Sequence, residues 1–516
     1  MKQFLRTTGS IFILLGFLSS PFFLKAQQNY LPPKFTDSNR IEKIAKYFPL
    51  VASLYKDYAE KNHLPGYAFG IVLDGKLVYS GAGGFTDFEK QIPATTKSMF
   101  RIASMSKSFT AMAILKLRDE DKIKLDDPVK NYIPEMKGKQ LTIDAPLITI
   151  RNLLTHSAGF PEDNPWGDRQ LDATEDDLTG MLEKGISLSN DPGLTYEYSN
   201  MGFAMLGMII KNQSLTVYSD YISKHIFKPL GMTDASWEYS KVPTNQLAKG
   251  YRWLNEKYVE QPLLHDGIYG AMGGLITSIE SFSKYVALHQ DAWPPRNGVE
   301  TGPIKRSSIR EMQQPWRFSG LNANYKYPSG RPSPLATAYA YGLRWSRDGE
   351  GRETVGHTGG LPGFGSNWQI LPEYGIGVMF FANATYAPTS LANTMVIDTL
   401  VRLSGIQSRQ LPASKILTQR RNELVKLLPD FNGAQKSGIF AINFFMDYFV
   451  EPMQKEARGI FEKVGKIFSV GEVIPENQLR GYFDMQGEHA TIRVSFTLTP
   501  ENPALIQEYH IKLIEK

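Results

Sequence analysis

Between Phe100 and Leu117 the chain reads FRIASMSKSFTAMAILKL, and at helical spacing this run is apolar nearly all round. Met105, Phe109, Met112 and Ala113 form one face, widened by Ile114 and Leu117. A narrow stripe of Ser104, Lys107, Ser108 and Ala111 runs down the other side. Such a helix has to be covered on every side, so the fold must supply packing partners all around it. It also takes a lysine inside. Residues i and i+3 share a helix face, which brings the Ser104 hydroxyl to the Lys107 amine. Desolvation and the positive end of the helix dipole push a buried amine toward its neutral form, in which it can accept a hydroxyl proton. Serine–lysine spacing alone is weakly specific: Ser53–Lys56 (SLYK) and Ser281–Lys284 (SFSK) repeat it.

The start of the chain, MKQFLRTTGS followed by an apolar run Ile11–Leu24 and Lys25-Ala26, has the pattern of a secretory signal peptide over residues 1–26. The run is short for a membrane span and contains Pro21, so no membrane span is expected after cleavage, and a periplasmic or secreted address follows. Loss of Lys2, Arg6 and Lys25 would take the formal charge from +5 to about +2 (5 less 3), too near neutral to argue for nucleic acid or an anionic membrane. The absence of cysteine excludes a disulfide, a thiolate nucleophile and an iron–sulfur cluster. The eight histidines form no close metal-ligand pair, so neither a metal nor another cofactor is expected. Nothing in the pattern specifies an oligomeric state.

After an amphipathic helix from about Ser38, interrupted at Pro49 and continued over Val51–Lys61, two β-rich runs flank Asp74-Gly75, a strong hairpin signal. From about 123 to 334 the pattern turns to helices and long loops. It includes a capping box at Thr174–Asp177, an apolar helix from Asn200, a helix over Thr277–His289, and a loop-like Asp291–Pro334. Strands return at Tyr341–Arg347, Thr354–Thr358, Asn367–Leu371 and Ile376–Asn383, before a helix Leu391–Leu403. This order predicts an α/β (α+β) domain over 27–410. One antiparallel sheet is flanked by helices, with the helical part inserted between its halves. The remainder, 411–516, reads as a small C-terminal α+β module behind a linker at Leu411–Ser414.

Two more motifs stand out. Tyr198-Ser199-Asn200 is the only place where an asparagine follows a tyrosine at i+2, a spacing that points both side chains the same way in an extended segment. A phenol beside a lysine is tilted toward its anion, which suits a proton relay. His357-Thr358-Gly359-Gly360 reads as a strand edge entering a glycine-rich bend, with His357 and Gly359 on one face and Thr358 on the other. Glycines there let a substrate backbone approach closely.

Taken in order, these motifs make the chain resemble the serine penicillin-recognising hydrolases: class C β-lactamases, DD-peptidases, D-aminopeptidases and related esterases. That family carries Ser-x-x-Lys, Tyr-x-Asn and Lys- or His-Thr-Gly. The stretches LPGYAFGIVLDGKLVYSGAGG (64–84), LDDPVKNYIP (125–134), ITIRNLLTHSAGF (148–160), GAMGGLITSIESFSKY (270–285) and GHTGGLPGFGSNWQILPEYGIGVMFFAN (356–383) look like the family too. The likeness covers roughly residues 40–405. It implies Ser104 as acylated nucleophile, Lys107 as its proton acceptor and Tyr198 as acid/base, with Asn200, His357, Thr358, Gly359 and Gly360 on the substrate side. The Ser104 and Gly360 amides would bind the oxyanion. A histidine in place of lysine at 357 implies weaker, pH-dependent anion binding, and so a peptidase for D-residues or a DD-peptidase rather than an efficient β-lactamase. A carboxylesterase and a non-catalytic binding or sensor protein are the competing readings; the partner in each case is a small molecule or peptide.

Overall fold

The computed structural model describes residues 30–514, so the signal-like segment 1–26 lies outside the described residues. The chain divides into two compact units, the larger Pro33–Gln410 and the smaller containing the chain from Leu411 onward.

The larger unit is built on a nine-stranded sheet. Its strands are β1 (Gly66–Leu73), β2 (Lys76–Asp87), β3 (Ile92–Pro93), β4 (Arg317–Asn322), β5 (Leu335–Tyr339), β6 (Arg344–Asp348), β7 (Glu353–Leu361), β8 (Phe364–Leu371) and β9 (Ile376–Ala382). They lie in the order β3-β2-β1-β9-β8-β7-β6-β5-β4, and every neighbouring pair is antiparallel. Asp74 and Gly75, both with positive φ (51° and 77°), make the tight turn from β1 to β2 that the Asp-Gly pair requires.

Strand β1 is buried on both faces. Its odd residues Phe69, Ile71 and Leu73 join one apolar layer with helices α1 (Phe48–Lys61) and α5 (Thr389–Ser404). The even residues Ala68 and Val72 join the main core, with helices α2 (Lys107–Asp119), α3 (Asn200–Ser214) and α4 (Ile279–Asp291). Helix α2 has the all-round burial that its sequence demands, from Lys107 to Leu115 without a break. Pro49 sits in the first turn of α1 and starts that helix rather than interrupting it, since a proline there gives up an N–H that has no intrahelical partner anyway.

The excursion between the two halves of the sheet is shorter and less helical than its sequence implies. Strand β4 returns before residue 334, with β5 directly after it, and Gly250–Leu254 pairs with Lys257–Gln261 in a hairpin inside the excursion. The reason is exposure: β4 is an edge strand with mostly exposed side chains, so it carries no apolar alternation to read. Six strands therefore return to the sheet, instead of three or four.

The smaller unit, from Leu411 onward, packs helices Lys415–Leu427 and Val450–Val464 on a sheet ordered Ile467–Val470, Arg480–Gly487, Thr491–Leu498, Ile506–Ile514. Buried and half-buried residues alternate along Thr491–Leu498, so the sheet has one apolar face. No helix among the described residues is long and apolar enough to cross a membrane.

Candidate active site

Ser104 stands in a 3-10 turn, Ala103–Ser106, and Lys107 is the first residue of α2. The turn is pinned locally. Ser106 Oγ donates to Ala103 O at 2.7 Å and accepts from Leu275 N at 3.1 Å, while Ser366 Oγ on β8 donates to Ile102 O at 2.7 Å. Ala103 has φ 50°, an unusual conformation for a residue with a side chain, held here by full burial next to the serine. Gly359 on β7 lets the turn approach, since a Cβ there would lie 2.2 Å from Ile102 O and 3.0 Å from Ala103 Cβ. Pairing of β6 with β7 ends at Arg344↔Gly356, so His357–Leu361 pairs only with β8 and leaves a free strand edge beside the serine turn.

The Lys107 amine is fully buried and lies 3.0 Å from Ser104 Oγ, 2.7 Å from Asn200 Oδ1 and 2.9 Å from the carbonyl oxygen of Met272. Burial pulls its pKa down to about 7, against the opposing pull of Asp168 and Asp163; the Arg344 cation adds to the fall. A neutral amine has two N–H bonds and one lone pair. Asn200 Oδ1 and Met272 O take the two N–H groups, which leaves the lone pair for the Ser104 hydroxyl.

Asn200 is the first residue of α3, and its own position is fixed from outside the helix. Asp163 accepts from the Asn200 and Met201 amides at 2.6 and 2.9 Å, and Asn164 Oδ1 accepts from Asn200 Nδ2 at 3.1 Å. A carboxylate at the start of a helix satisfies the free amides and complements the dipole. Tyr198, in the extended segment just before, lays its ring against Lys107, with the amine 4.9 Å from the ring centroid. The expected tilt of this phenol toward its anion is not what the structure shows. Burial holds the phenol protonated, raising its pKa well above the ordinary value, despite the opposing hydrogen bond with Ser104. The amine meets the face of the ring, and at a pKa near 7 it is a weak source of positive charge.

His357 also departs from expectation. Its ring is buried, with Nε2 2.8 Å from Tyr339 Oη and Nδ1 2.6 Å from Thr358 O. The carbonyl can only accept, so Nδ1 carries the proton and the Tyr339 hydroxyl donates to Nε2. Burial drives its pKa far below the usual histidine value, with Arg344 and Lys107 adding to the fall. His357 is therefore held neutral by burial, and a neutral imidazole contributes no pH-dependent anion binding. Thr358 lies on the opposite strand face, its Oγ1 accepting from Asn367 Nδ2 at 3.1 Å. Gly360 points its open side at the Tyr386 ring.

Several residues of the site carry no pattern in the sequence. His156 packs 4.1 Å from the Tyr198 ring, centroid to centroid, and its Nδ1 accepts from the Ser199 amide. Its sequence context, Thr155–Gly159, suggests only an incomplete nucleophile elbow. Asp163, Asp168 and Tyr386 come from loops, and Met272 contributes a backbone carbonyl. The two decoy pairs fall elsewhere: Ser53 bonds Asp57 on an exposed stretch of α1, and Ser281 is a first-turn residue of α4 whose Lys284 reaches the Gly231 carbonyl.

A family model described as Beta-lactamase matches residues 51–400. Protein flp of Staphylococcus aureus (strain NCTC 8325 / PS 47) is 29% identical over 349 residues, 66% of this chain and 64% of that protein. Unguisins hydrolase ungD' of Aspergillus campestris is 26% identical over 365 residues, 68% of this chain and 64% of that protein. The chain thus spans a little under two thirds of the length of these relatives. In fold it is similar to an octameric penicillin-binding protein homologue from Pyrococcus abyssi (TM-score 0.59, 23% identity, 91% of this chain and 96% of that one). A penicillin-binding protein from Bacillus halodurans superposes with TM-score 0.53 at 21% identity, over 67% of this chain and 98% of that one. With the family model spanning more than half of the chain, and the antiparallel sheet and helices those neighbours share, this protein belongs to the Beta-lactamase family.

Proposed function

We propose that this protein is an exported serine hydrolase that cleaves amide or ester bonds through an acyl-enzyme on Ser104, with peptides bearing D-residues as a candidate substrate class. One observation carries the reading: the fully buried Lys107 amine, its two N–H bonds taken by Asn200 and Met272, faces Ser104 Oγ at 3.0 Å. With a pKa near 7, about half of the molecules hold a neutral amine at neutral pH.

In this reading Lys107 takes the Ser104 proton as Oγ bonds to the substrate carbonyl carbon. The negative charge on the carbonyl oxygen meets the amides of Ser104 and Gly360. Ser104 suits this, because amides in the first turn of a helix have no intrahelical acceptor. Tyr198, which burial keeps protonated, donates its O–H toward the leaving group and recovers a proton from Lys107. A water then attacks the acyl carbon; its proton passes through the Tyr198 hydroxyl to the neutral Lys107 amine, and Lys107 returns a proton to Ser104 Oγ as the acyl–oxygen bond breaks.

A carboxylesterase acting on neutral acyl esters is the second reading, favoured by the neutral, internally bonded His357, which itself offers a substrate carboxylate no charge. Intact-protein mass spectrometry after incubation with a fluorophosphonate, a penicillin, a D-Ala-D-Ala peptide and short p-nitrophenyl esters tests both. The expected result is an adduct on Ser104 with at least one probe, absent from Ser104→Ala. A wild type that takes no label and turns over none of these compounds would refute the enzyme reading, and a label on Ser53 or Ser281 would refute the site.

A further inference from the structure

Asp168 is a carboxylate that the acylation scheme leaves without a task. It is 3% exposed, and only one of its oxygens is bonded: Oδ2 accepts from Tyr386 Oη at 2.9 Å, while the equally buried Oδ1 has no partner. Leaving a buried carboxylate half satisfied is costly, so the position calls for an explanation. Its neighbour Gly167 packs directly on Asn200, with a Cβ there 2.8 Å from Asn200 Cβ, and Asn200 holds the Lys107 amine. Tyr386 has φ 51°, and its ring lies against Gly360, where a Cβ would come within 2.9 Å. The Tyr386 amide donates to Phe364 O at 3.1 Å, tying it to the β7–β8 turn. The Asp168–Tyr386 hydrogen bond thus joins the inserted lobe to the free edge of the HTGG strand.

We propose that Asp168 is a positioning residue that sets the charge of Lys107, its carboxylate stabilising the ammonium formed when Lys107 takes the Ser104 proton, and that Tyr386 is the latch that holds it in place. Asp163, the other carboxylate near the amine, spends its oxygens on the α3 amides and Ser199, which leaves Asp168 as the one with a free oxygen. The charged and titratable groups around the pair are Lys107, Asp163, Arg169 and Tyr386 for Asp168, and Asp168, Asp163, Arg344, Tyr198, His156 and His357 for Lys107. Both histidines are held neutral by burial, and Arg344 works against the ammonium, so the carboxylates are its support. Burial raises the Asp168 carboxyl to about 6, while Lys107 and the Tyr386 hydrogen bond keep it from rising further.

The proposal rests on the Ser104 acyl-enzyme reading, and one experiment separates the two. The second-order rate of Ser104 labelling by a fluorophosphonate is measured from pH 5 to pH 9 in the full-length protein, its Asp168→Asn variant and its Tyr386→Phe variant. Wild type should show an acid limb centred near pH 7. Asp168→Asn removes a negative charge, so Lys107 loses its proton more readily: the limb moves down by about one pH unit, and the plateau falls because the amine is a weaker base. Tyr386→Phe raises the carboxyl pKa and moves the limb the same way by less. Labelling of all three proteins with superimposable limbs overturns the role of Asp168 and leaves the hydrolase reading intact. No labelling of wild type at any pH overturns both. Should Asp168→Asn fail to fold, the Tyr386→Phe limb decides alone, an unmoved limb counting against the proposal.

Discussion

Burying Lys107 has a consequence for stability that can be read without any substrate. Its pKa falls from 10.5 to about 7 on folding, chiefly through desolvation. Below pH 7 both folded and unfolded chains carry the proton, and the folded state bears the full cost of an ammonium in the core. Between pH 7 and 10.5 the unfolded chain holds a proton that the folded one has released, so stability rises with pH across that window. At about 1.4 kcal/mol per pH unit, the whole window is worth roughly 5 kcal/mol. Lys107→Met fills similar space without the titration. The free energy of unfolding of wild type minus that of Lys107→Met should therefore climb by about 1.4 kcal/mol per pH unit from pH 7 to 9.5. Asp168 is largely ionised over that range in wild type, and because Lys107→Met removes a cation that holds its carboxyl down, the slope is read from the upper part of the window, where Asp168 is ionised in both proteins. Urea melts followed by tryptophan fluorescence suit the measurement, because all seven tryptophans, from Trp166 to Trp368, lie in the Pro33–Gln410 unit. Parallel curves for the two proteins would refute the depressed lysine pKa and, with it, the supply of neutral amine.

Gly359→Ala should drive a methyl into the Ile102 carbonyl and push the serine turn off β7; a fall of about 10²-fold in p-nitrophenyl ester kcat/KM and a loss of about 1–3 kcal/mol in urea melts are expected. Asp163→Ala removes the cap of α3 and should cost about 0.5–2 kcal/mol, with a larger loss of activity than of stability because Asn200 shifts away from Lys107. His357→Gln should leave the midpoint of the acid limb of kcat/KM unmoved, since the histidine is already neutral there; a limb that disappears would assign that titration to His357 instead of Lys107.

The packing side of this protein is close to the surface of its sequence. The Asp-Gly turn, the all-round apolar run after Ser104, the capping box at Thr174–Asp177 and the alternation in Thr491–Leu498 each act through local periodicity or backbone preference, and each appears in the structure at its place. The strand β4 did not announce itself, because an exposed edge strand has no reason to alternate. The Tyr386 backbone at φ 51° is likewise invisible in a residue that is not glycine.

By itself the sequence determined the three motifs of the site: the serine–lysine pair, the Tyr-x-Asn and the His-Thr-Gly lie on separate elements whose order identifies the family. The charge states of Tyr198 and His357 were decided by tertiary structure alone. A residue's protonation depends on how much water it loses and which dipoles replace it, and those come from Met272 O, Asp168 and Tyr339, distant in the chain and unmarked by any pattern. So the lysine near the serine and the push toward its neutral form were legible, while the protonated Tyr198 and the silent His357 follow from the packed core around them.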